Sequence, residues 1–218
     1  MSRKDIEEER LKIDLSYVLR GIQCHALLER ICPPRYGLQV LEPACGSGKL
    51  GTWYALRGAI VTLLDIDPKE IRYAGALWTS ARNATPITCS SSTPDFQVGS
   101  IHHLPFTDNR FDLVFNEGVA QHWTDWRRQR SLNEMVRVTK VSGTVCHFAN
   151  NALCPSVMEM ANSIDHDYKG MPKREKPFTP EELAMRLKRA GIKKPFISTV
   201  GATKWEDSAL ILGFGVKE

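Results

Sequence analysis

The sequence predicts an α/β domain whose doubly wound, mostly parallel sheet has seven strands and an antiparallel edge strand. Short apolar runs alternate with helical patterns through most of the 218 residues. A glycine-rich turn joins the first run to the helix after it, and the last two runs follow each other with no helix between them. Because ligands of such sheets bind beyond the carboxyl ends of the strands, the residues that follow each strand indicate function.

The composition is that of one globular domain of ordinary charge. Hydrophobic residues make up 42% and charged residues 25%, with a net charge of +4, which argues against disordered and fibrous classes. No apolar run approaches the roughly 18 residues of a membrane span, and the N-terminus has no apolar signal core, so we expect a cytoplasmic protein. Six cysteines without a C-x-x-C pair, and no H-E-x-x-H, predict reduced thiols and no metal site.

A helix is predicted over residues 2–31, as the main part of an N-terminal cap (1–34) on a single domain. Its apolar side chains recur on one stripe with charges opposite. The helix is expected to end at Cys32, which precedes two prolines. The residues of the stripe are Leu11, Leu15, Val18, Leu19 and Ile22.

Apolar runs and capping residues predict the first two strand–helix units. The runs 38–42 and 59–64 predict buried strands, and a helix through Leu56 lies between them. The next helix begins with Asp67 as its N-cap and Pro68 in the first turn. Both units therefore have the strand–turn–helix order of a parallel sheet.

The second half continues the alternation and then closes the sheet. A loop is expected over 83–95, and irregular structure over 150–178, which we interpret as a substrate lid. The last helix begins after the capping residue Thr179 and ends at Gly191. The further elements are strands at 96–98, 111–115 and 143–148, a helix at 124–139, and a closing antiparallel pair at 196–200 and 208–214.

Three glycines follow the first strand with the spacing G-x-G-x-x-G, namely Gly46, Gly48 and Gly51. Glycines let the backbone turn tightly and approach a ligand, while the N–H groups of the next helix point at it. Alone, this spacing also fits a nicotinamide dinucleotide site, with Asp65 at the distance of a ribose-binding acid. Glu42 argues against a dinucleotide and for a cationic ligand, because a carboxylate before Gly46 repels a pyrophosphate.

This segment resembles the first motif of class I S-adenosylmethionine-dependent methyltransferases. That motif reads roughly hydrophobic-hydrophobic-acid-x-G-x-G-x-G, and the residues from Val40 to Gly48 read VLEPACGSG. Ala44 stands where the family has its first glycine. The resemblance implies that Glu42 organises the loop and the methionine end of the cofactor. It places Ala44, Gly46 and Gly48 along the methionine and ribose.

The stretch from Gly99 to Val114, GSIHHLPFTDNRFDLV, is a second and more specific match. It is similar to the G-D-A-x-x-L-P-F-x-D-x-S-F-D-L-V segment of the type 11 methyltransferase group, which includes quinone-biosynthesis enzymes and many small-molecule methyltransferases. The resemblance extends over about residues 38–149, and more loosely over 178–192. It implies a Rossmann-like methyltransferase fold with S-adenosylmethionine as cofactor and S-adenosylhomocysteine as product.

The ends of the second and third predicted strands carry further cofactor positions in this resemblance. Asp65 occupies the place of the acid that accepts both ribose hydroxyls, which suits a group with two acceptor oxygens. Ile66 is expected against the adenine, and Asp67 as a helix cap. Ser100 stands where the family has its adenine-binding Asp, so that hydrogen bond loses charge assistance, and the N–H of Ile101 is expected to serve the ring.

The resemblance implies that the residues after the fourth strand flank the methyl group and its acceptor. We assign Asn116 to both the cofactor and the catalytic region, and Glu117 and His122 to the catalytic region. His122 matches a histidine common in the type 11 group, as a base, a substrate contact or a packed polar residue. The Asn/Asp-Pro-Pro-aromatic sequence of the N6-adenine and N4-cytosine methyltransferases is absent here, which argues against that class.

The predicted function is in-line methyl transfer to a small-molecule nucleophile that the sequence does not identify. Such an enzyme mainly aligns the reactants and excludes water, and a base is required only where the nucleophile carries a proton. Two alternatives stay open. One is a catalytically silent protein of the same fold that acts as a binding partner, which Ser100 favours. The other is an NAD-dependent oxidoreductase.

A run of basic residues in the last third of the chain also permits an acidic substrate or RNA. The alternative for these residues is a solvated basic surface. The run comprises Lys169, Lys173, Arg174, Lys176, Arg186, Lys188, Arg189, Lys193 and Lys194.

Overall fold

The structure is a computed structural model that describes residues 19–85, 92–163 and 175–218. Its strands are β1 (Gln39–Pro43), β2 (Ile60–Asp65), β3 (Asp95–Val98), β4 (Phe111–Glu117), β5 (Thr139–Asn150), β6 (Phe196–Thr199) and β7 (Leu210–Val216). They form one seven-stranded sheet in the order β3-β2-β1-β4-β5-β7-β6.

The strands of the sheet run in the predicted directions, mostly parallel with an antiparallel pair at one edge. The first five strands pair in parallel, and β7 lies between β5 and β6 and runs antiparallel to both. The doubly wound sheet with an antiparallel pair at one edge is therefore confirmed. After β3 the chain returns to place β4 beside β1, so the direction of winding reverses between β1 and β4, where ligands of such sheets bind.

Six helices connect and flank the strands in the described residues. The predicted caps are present, since Asp67 Oδ1 accepts a 2.8 Å hydrogen bond from the Lys69 N–H and Thr179 Oγ1 accepts one of 3.1 Å from the Glu182 N–H. Gly191 ends its helix with a φ of +113°. The helices are α1 (19–31), α2 (Lys49–Ala55), α3 (Pro68–Ala84), α4 (Asp125–Val138), α5 (Pro155–Ser163) and α6 (Pro180–Ala190).

Two apolar layers cover the faces of the sheet. Leu28 of α1, Tyr54 of α2 and Trp78 of α3 pack on one face. Leu132 of α4 and Leu183 of α6 pack on the other. Burying a large apolar side chain contributes about 1.5–3 kcal/mol. These layers therefore hold the strands, and the side chains at their carboxyl ends, in fixed positions.

Two local expectations differ from the structure. α5 lies within 150–178, where irregular structure was expected, because its weak apolar pattern did not indicate a helix. Leu19 and Ile22, taken as part of the apolar stripe, are each 57% exposed, because α1 faces the sheet through Cys24 and Leu28 instead. The rest of the stripe, Leu11, Leu15 and Val18, lies outside the described residues.

Among the helices that the structure describes, none is long and apolar enough to cross a membrane. The five cysteines in the described ranges are buried and unpaired. Burial raises the pKa of the Cys24, Cys45 and Cys146 thiols. These thiols are therefore packing groups rather than nucleophiles.

Candidate functional site

The turn between β1 and α2 is held in left-handed backbone conformations. Ala44, Gly46 and Gly48 have φ values of +56°, +50° and +64°. Such values suit glycine and cost a residue with a Cβ about 1–2 kcal/mol, so Ala44 is strained. A Cβ on Gly48 would come within 2.7 Å of Leu63 Cδ1. A Cβ on Gly46 would meet Glu70 Oε2 at 3.9 Å and is otherwise uncrowded among the described residues, so the loop is open there.

Glu42 lies beneath this loop at the end of β1 and is 3% exposed. Its Oε2 accepts a 2.8 Å hydrogen bond from the Gly51 N–H. Burial raises the pKa of Glu42 to about 8, assisted by the Glu117 carboxylate and opposed by the Gly51 hydrogen bond and Lys49. Glu42 therefore exchanges its proton close to neutral pH, and a cationic ligand nearby favours the carboxylate form.

Asp65 joins the end of β2 to the loop after β1. Its Oδ2 accepts a 2.9 Å hydrogen bond from the Gly46 N–H, and its Oδ1 accepts one of 3.0 Å from the Asp67 N–H. The Gly99 N–H, beyond β3, donates to the Asp65 carbonyl at 2.8 Å. The ends of three strands thus meet at Asp65, whose carboxylate oxygens retain lone pairs for a ligand. Ile66, next in the chain, is 69% exposed and offers an apolar surface.

Ser100 and Ile101 follow β3 in a tight turn. Ser100 Oγ accepts a 3.2 Å hydrogen bond from the His102 N–H, and the Ser100 carbonyl accepts one of 3.0 Å from the His103 N–H. The Ile101 side chain is buried in the core. The serine hydroxyl therefore stabilises the turn itself, and its role towards adenine stays a prediction.

Glu117, the last residue of β4, pairs with two cations. Its Oε2 lies 3.1 Å from Lys49 Nζ and its Oε1 lies 3.4 Å from Arg20 Nε. Arg20, in the first described turn of α1, also donates a 2.8 Å hydrogen bond to Asn150 Oδ1. These contacts bring α1 over the carboxyl ends of β4 and β5.

Asn116 does not lie with Glu117. Its side chain is fully buried, and its Oδ1 is 2.5 Å from Nδ1 of His147 on β5. Burial lowers the pKa of His147 to about 3, so the imidazole is neutral and donates its Nδ1–H to Asn116. Successive side chains of a strand point to opposite faces, so Asn116 faces the α4–α6 layer. This placement does not support a role for its side chain at the methyl acceptor.

His122 lies in a 3₁₀ turn after β4 and faces the end of the segment 150–178 that was expected to form a substrate lid. Its Nδ1 is 3.3 Å from Oε1 of Glu175. Glu175 Oε2 in turn accepts a 3.0 Å hydrogen bond from Asn150 Nδ2. We call residues 175–178 the strap. Through Asn150, which also binds Arg20, the strap is connected to α1.

Arg128, fully buried in α4, fastens the strap. Its guanidinium donates to the carbonyls of Ala120, at 3.1 Å, and Lys176, and to Glu182 Oε1 at 2.9 Å. Its guanidinium carbon also lies 3.8 Å from the centre of the Phe178 ring. Burial lowers the pKa of Arg128 to about 10. One side chain thus ties the turn after β4, the strap and α6 together.

Backbone hydrogen bonds hold the strap as well. The Lys176 N–H donates to the Gln121 carbonyl at 2.9 Å, and the Phe178 N–H donates to the Asn150 carbonyl at 2.8 Å. Neither Glu175 nor Arg128 belongs to a recognised motif. A signal for Arg128 was present, because it lies four residues before the buried Leu132 on the apolar stripe of α4.

Part of the predicted basic run serves the structure itself. Arg186 is 6% exposed, donates to Glu182 Oε1 at 2.8 Å, and lies 3.2 Å from Asp125 Oδ1. Lys176 Nζ lies 3.1 Å from the same Asp125 oxygen. These two cations neutralise carboxylates of the protein, which weakens the case for a polyanion surface. Lys169, Lys173 and Arg174 lie outside the described residues, and Lys188, Arg189, Lys193 and Lys194 are exposed.

A groove of about 730 Å³ lies away from these residues, between α1 and the edge strands. It is lined by Leu27 and Ile31 of α1 and by Phe196 and Phe214 of β6 and β7. The groove contains none of the residues at the carboxyl ends of β1, β2 and β4. It is therefore separate from the predicted cofactor site.

A family model described as a methyltransferase domain matches residues 41–147, which contain the glycine loop, Asp65, Ser100 and His122. The chain carries a methyltransferase domain. Two curated relatives of this domain are named malonyl-[acyl-carrier protein] O-methyltransferase. The one from Erwinia billingiae is 32% identical over 129 residues, and the one from Pectobacterium atrosepticum is 28% identical over 115 residues.

These matches cover 56% and 53% of this chain, but 45% and 40% of the relatives. The chain thus spans less than half the length of these curated relatives. Among solved structures, the methyltransferase domain resembles magnesium protoporphyrin IX methyltransferase from Synechocystis with bound S-adenosylhomocysteine. The TM-score is 0.64 at 16% identity, with 91% of this chain and 84% of that chain covered. This likeness shows the fold.

Proposed function

We propose that the chain transfers a methyl group from S-adenosylmethionine to a small-molecule nucleophile. The contact between Asp65 and Gly46 carries this proposal, because it places a carboxylate with two acceptor oxygens beside the glycine loop. That loop lies where the winding of the sheet reverses, the usual position of a ligand. The methyltransferase domain and the fold likeness support the same function.

The residues present fit this cofactor. Gly46 leaves the loop open, Asp65 has lone pairs for a ribose diol, and Ile66 offers an apolar surface for adenine. Glu42 ionises close to neutral pH, which suits the cationic methionine end. When bound, S-adenosylmethionine supplies a methyl group on a positively charged sulfur, which is reactive without activation by the protein.

The role of the protein is then to align the reactants and exclude water. Arg20 of α1 and Glu175 of the strap both bind Asn150, so the two segments approach each other over the ends of β4 and β5. Such a cover restricts the acceptor to orientations that suit in-line displacement. The cap and the lid expected at 1–34 and 150–178 would have this role.

We do not assign to this chain the methyl acceptor that the relatives' name implies. Malonyl-[acyl-carrier protein] O-methyltransferases act on a carboxylate by name, but the matches reach less than half of their lengths. We propose a small molecule as the acceptor, and a cytoplasmic location on the basis of the buried, unpaired cysteines in the described ranges.

Replacing Asp65 tests the proposal directly. We expect Asp65→Ala to weaken S-adenosylhomocysteine binding by roughly 1.5–3 kcal/mol, because two charge-assisted hydrogen bonds are lost. Asp67→Ala is the matched control, since it removes a helix cap and about 0.5–2 kcal/mol of stability without touching the ligand. Equal dissociation constants for wild type and Asp65→Ala would show that Asp65 does not bind the ribose.

A further inference from the structure

The turn after β4 and the strap bring an imidazole and a carboxylate together beyond the carboxyl ends of β4 and β5. His122 Nδ1 lies 3.3 Å from Glu175 Oε1, and the side chains are 25% and 8% exposed. The other oxygen of Glu175 accepts a hydrogen bond from Asn150. The carboxylate is thus held from two sides, while part of the imidazole stays accessible.

Two described neighbours of the imidazole, Glu175 and Gln121, favour the same tautomer. Glu175 is an acceptor, so the ring proton lies on Nδ1. The side-chain amide nitrogen of Gln121, a donor, lies 3.5 Å from Nε2. A donor beside Nε2 and an acceptor beside Nδ1 both favour the form with the lone pair on Nε2. This is the form that accepts a proton from a substrate.

The position of Glu175 is fixed by the residue that follows it. The Lys176 carbonyl accepts from the buried Arg128, and the Lys176 N–H donates to the Gln121 carbonyl at 2.9 Å. The strap is therefore joined to the turn that carries His122. A carboxylate that binds the Nδ1–H of a histidine orients the ring and stabilises the imidazolium that forms on proton transfer.

We propose that His122 is the general base of the methyl transfer, that Glu175 is its positioning residue, and that the acceptor is a hydroxyl compound, an alcohol or a phenol. This assignment rests on the methyl-transfer function proposed above and names its acceptor class. A carboxylate acceptor is already ionised at neutral pH and needs no base. Glu175 lies outside residues 41–147, so the matched domain alone does not supply this pair.

In this step the acceptor hydroxyl gives its proton to Nε2 of His122 as the acceptor oxygen bonds to the methyl carbon. The sulfur–carbon bond breaks and its electron pair stays on sulfur. The products are the methyl ether, S-adenosylhomocysteine and the imidazolium of His122. The imidazolium then releases its proton to water, which restores the base.

Within the described residues, the carboxylate of Glu175 lies 3.3 Å from the imidazole of His122. Glu175→Gln keeps the shape and the contact with Asn150 but removes the charge, so His122 is expected to lose its proton at a lower pH. Glu181→Gln is the matched control, because Glu181 is exposed in the first turn of α6. Other charged groups on the surrounding elements include Arg20, Glu117, Asp125, Arg127, Arg128, Arg130, Lys176 and Glu182.

The first test needs no acceptor. The His122 ring is titrated by NMR in the protein saturated with S-adenosylhomocysteine. We expect half-protonation at a pH lower by about one unit in Glu175→Gln, and unchanged in Glu181→Gln. An identical titration in wild type and Glu175→Gln overturns the pairing. Failure to bind S-adenosylhomocysteine instead contradicts the proposed function itself, so the two failures are distinguishable.

The second test compares acceptor classes. Phenol, catechol and benzyl alcohol are the hydroxyl probes, and malonyl-coenzyme A is the carboxylate probe. We expect methylation of a hydroxyl probe, with kcat reduced about 100-fold or more in His122→Asn and an unchanged dissociation constant for S-adenosylhomocysteine. Asn preserves a donor to Glu175 but is not a base. Turnover of malonyl-coenzyme A that His122→Asn leaves intact, or no turnover of any hydroxyl probe, overturns the assignment.

Discussion

The carboxylate of Glu42 and the backbone N–H of Gly51 are joined by a 2.8 Å hydrogen bond beneath the glycine loop. A Cβ on Gly51 would lie 2.5 Å from Leu63 Cδ2 and 2.8 Å from Glu42 Oε2. The third glycine of the motif therefore makes room for a buried acid and a neighbouring strand. Gly51 is required because a Cβ has no space there. Gly46 is required by its positive φ, and Gly48 by both its positive φ and the nearness of Leu63.

Replacing Gly51 by Ala forces a methyl group into this contact. We expect Gly51→Ala to lower the free energy of unfolding by about 1–3 kcal/mol, because Leu63 and Glu42 must both move. Gly75→Ala is the control, since a Cβ at that position of α3 meets nothing within 4 Å. It should stabilise the helix by about 0.5–1 kcal/mol. Urea unfolding measures both, and equal stabilities of the two variants would contradict the packing described.

Glu42→Gln removes a carboxyl whose pKa rises on folding. Burial raises the pKa of Glu42 from 4.5 to about 8. In this window the folded protein keeps a proton that the unfolded chain has lost, so the free energy of unfolding falls as pH rises from about 4.5 to about 8. We expect a smaller fall in Glu42→Gln, measured by urea unfolding at both ends of the window. Parallel pH profiles for the variant and wild type would show that Glu42 titrates normally.

Ala44→Gly relieves backbone strain in the loop. A left-handed φ of +56° costs alanine about 1–2 kcal/mol, and glycine loses about 0.5–1 kcal/mol of entropy on folding. The net expectation is a gain of about 0.5–1 kcal/mol in stability, seen as a higher melting temperature. Ala81→Gly, inside α3, should lose about as much. A loss of stability in Ala44→Gly would argue against the left-handed conformation.

Arg128→Met separates the strap from α4. The carbonyls of Ala120 and Lys176 each lose a buried donor, so we expect a loss of about 2–4 kcal/mol in stability. Hydrogen exchange at the Phe178 amide, which is bound to Asn150, should become faster. Arg127→Met is the control one residue away, with an expected effect within about 0.5 kcal/mol. Unchanged exchange at Phe178 would show that Arg128 does not anchor the strap.

The order of elements could be predicted from the sequence because its signals are local. Two helix starts are predicted by a capping residue followed by proline, namely Asp67 with Pro68 and Thr179 with Pro180. The glycine loop likewise encodes its own conformation, including the positive φ of Gly46. Alternating apolar patterns then suffice to order strands and helices.

The mouth of the site could not be predicted in the same way, because it is built from contacts between distant residues. Glu175 meets His122 although the two residues lie far apart in the chain. The resemblance places the residues after the fourth strand at the cofactor and the acceptor, and Asn116 was assigned there for that reason. The strand continues to Glu117, and side chains alternate along it, so Asn116 faces the side of the sheet on which it meets His147. Neither fact is visible without the register of β4 and β5.

Calorimetric titration of the protein with S-adenosylhomocysteine, S-adenosylmethionine and NAD tests the central claim most directly. The arrangement of Glu42, Gly46 and Asp65 predicts binding of both adenosyl compounds and no binding of NAD. If the adenosyl compounds bind but no acceptor is methylated, the result would favour the alternative of a catalytically silent protein of the same fold. Binding of NAD alone, or of none of the three, would contradict the assignment of this loop to S-adenosylmethionine.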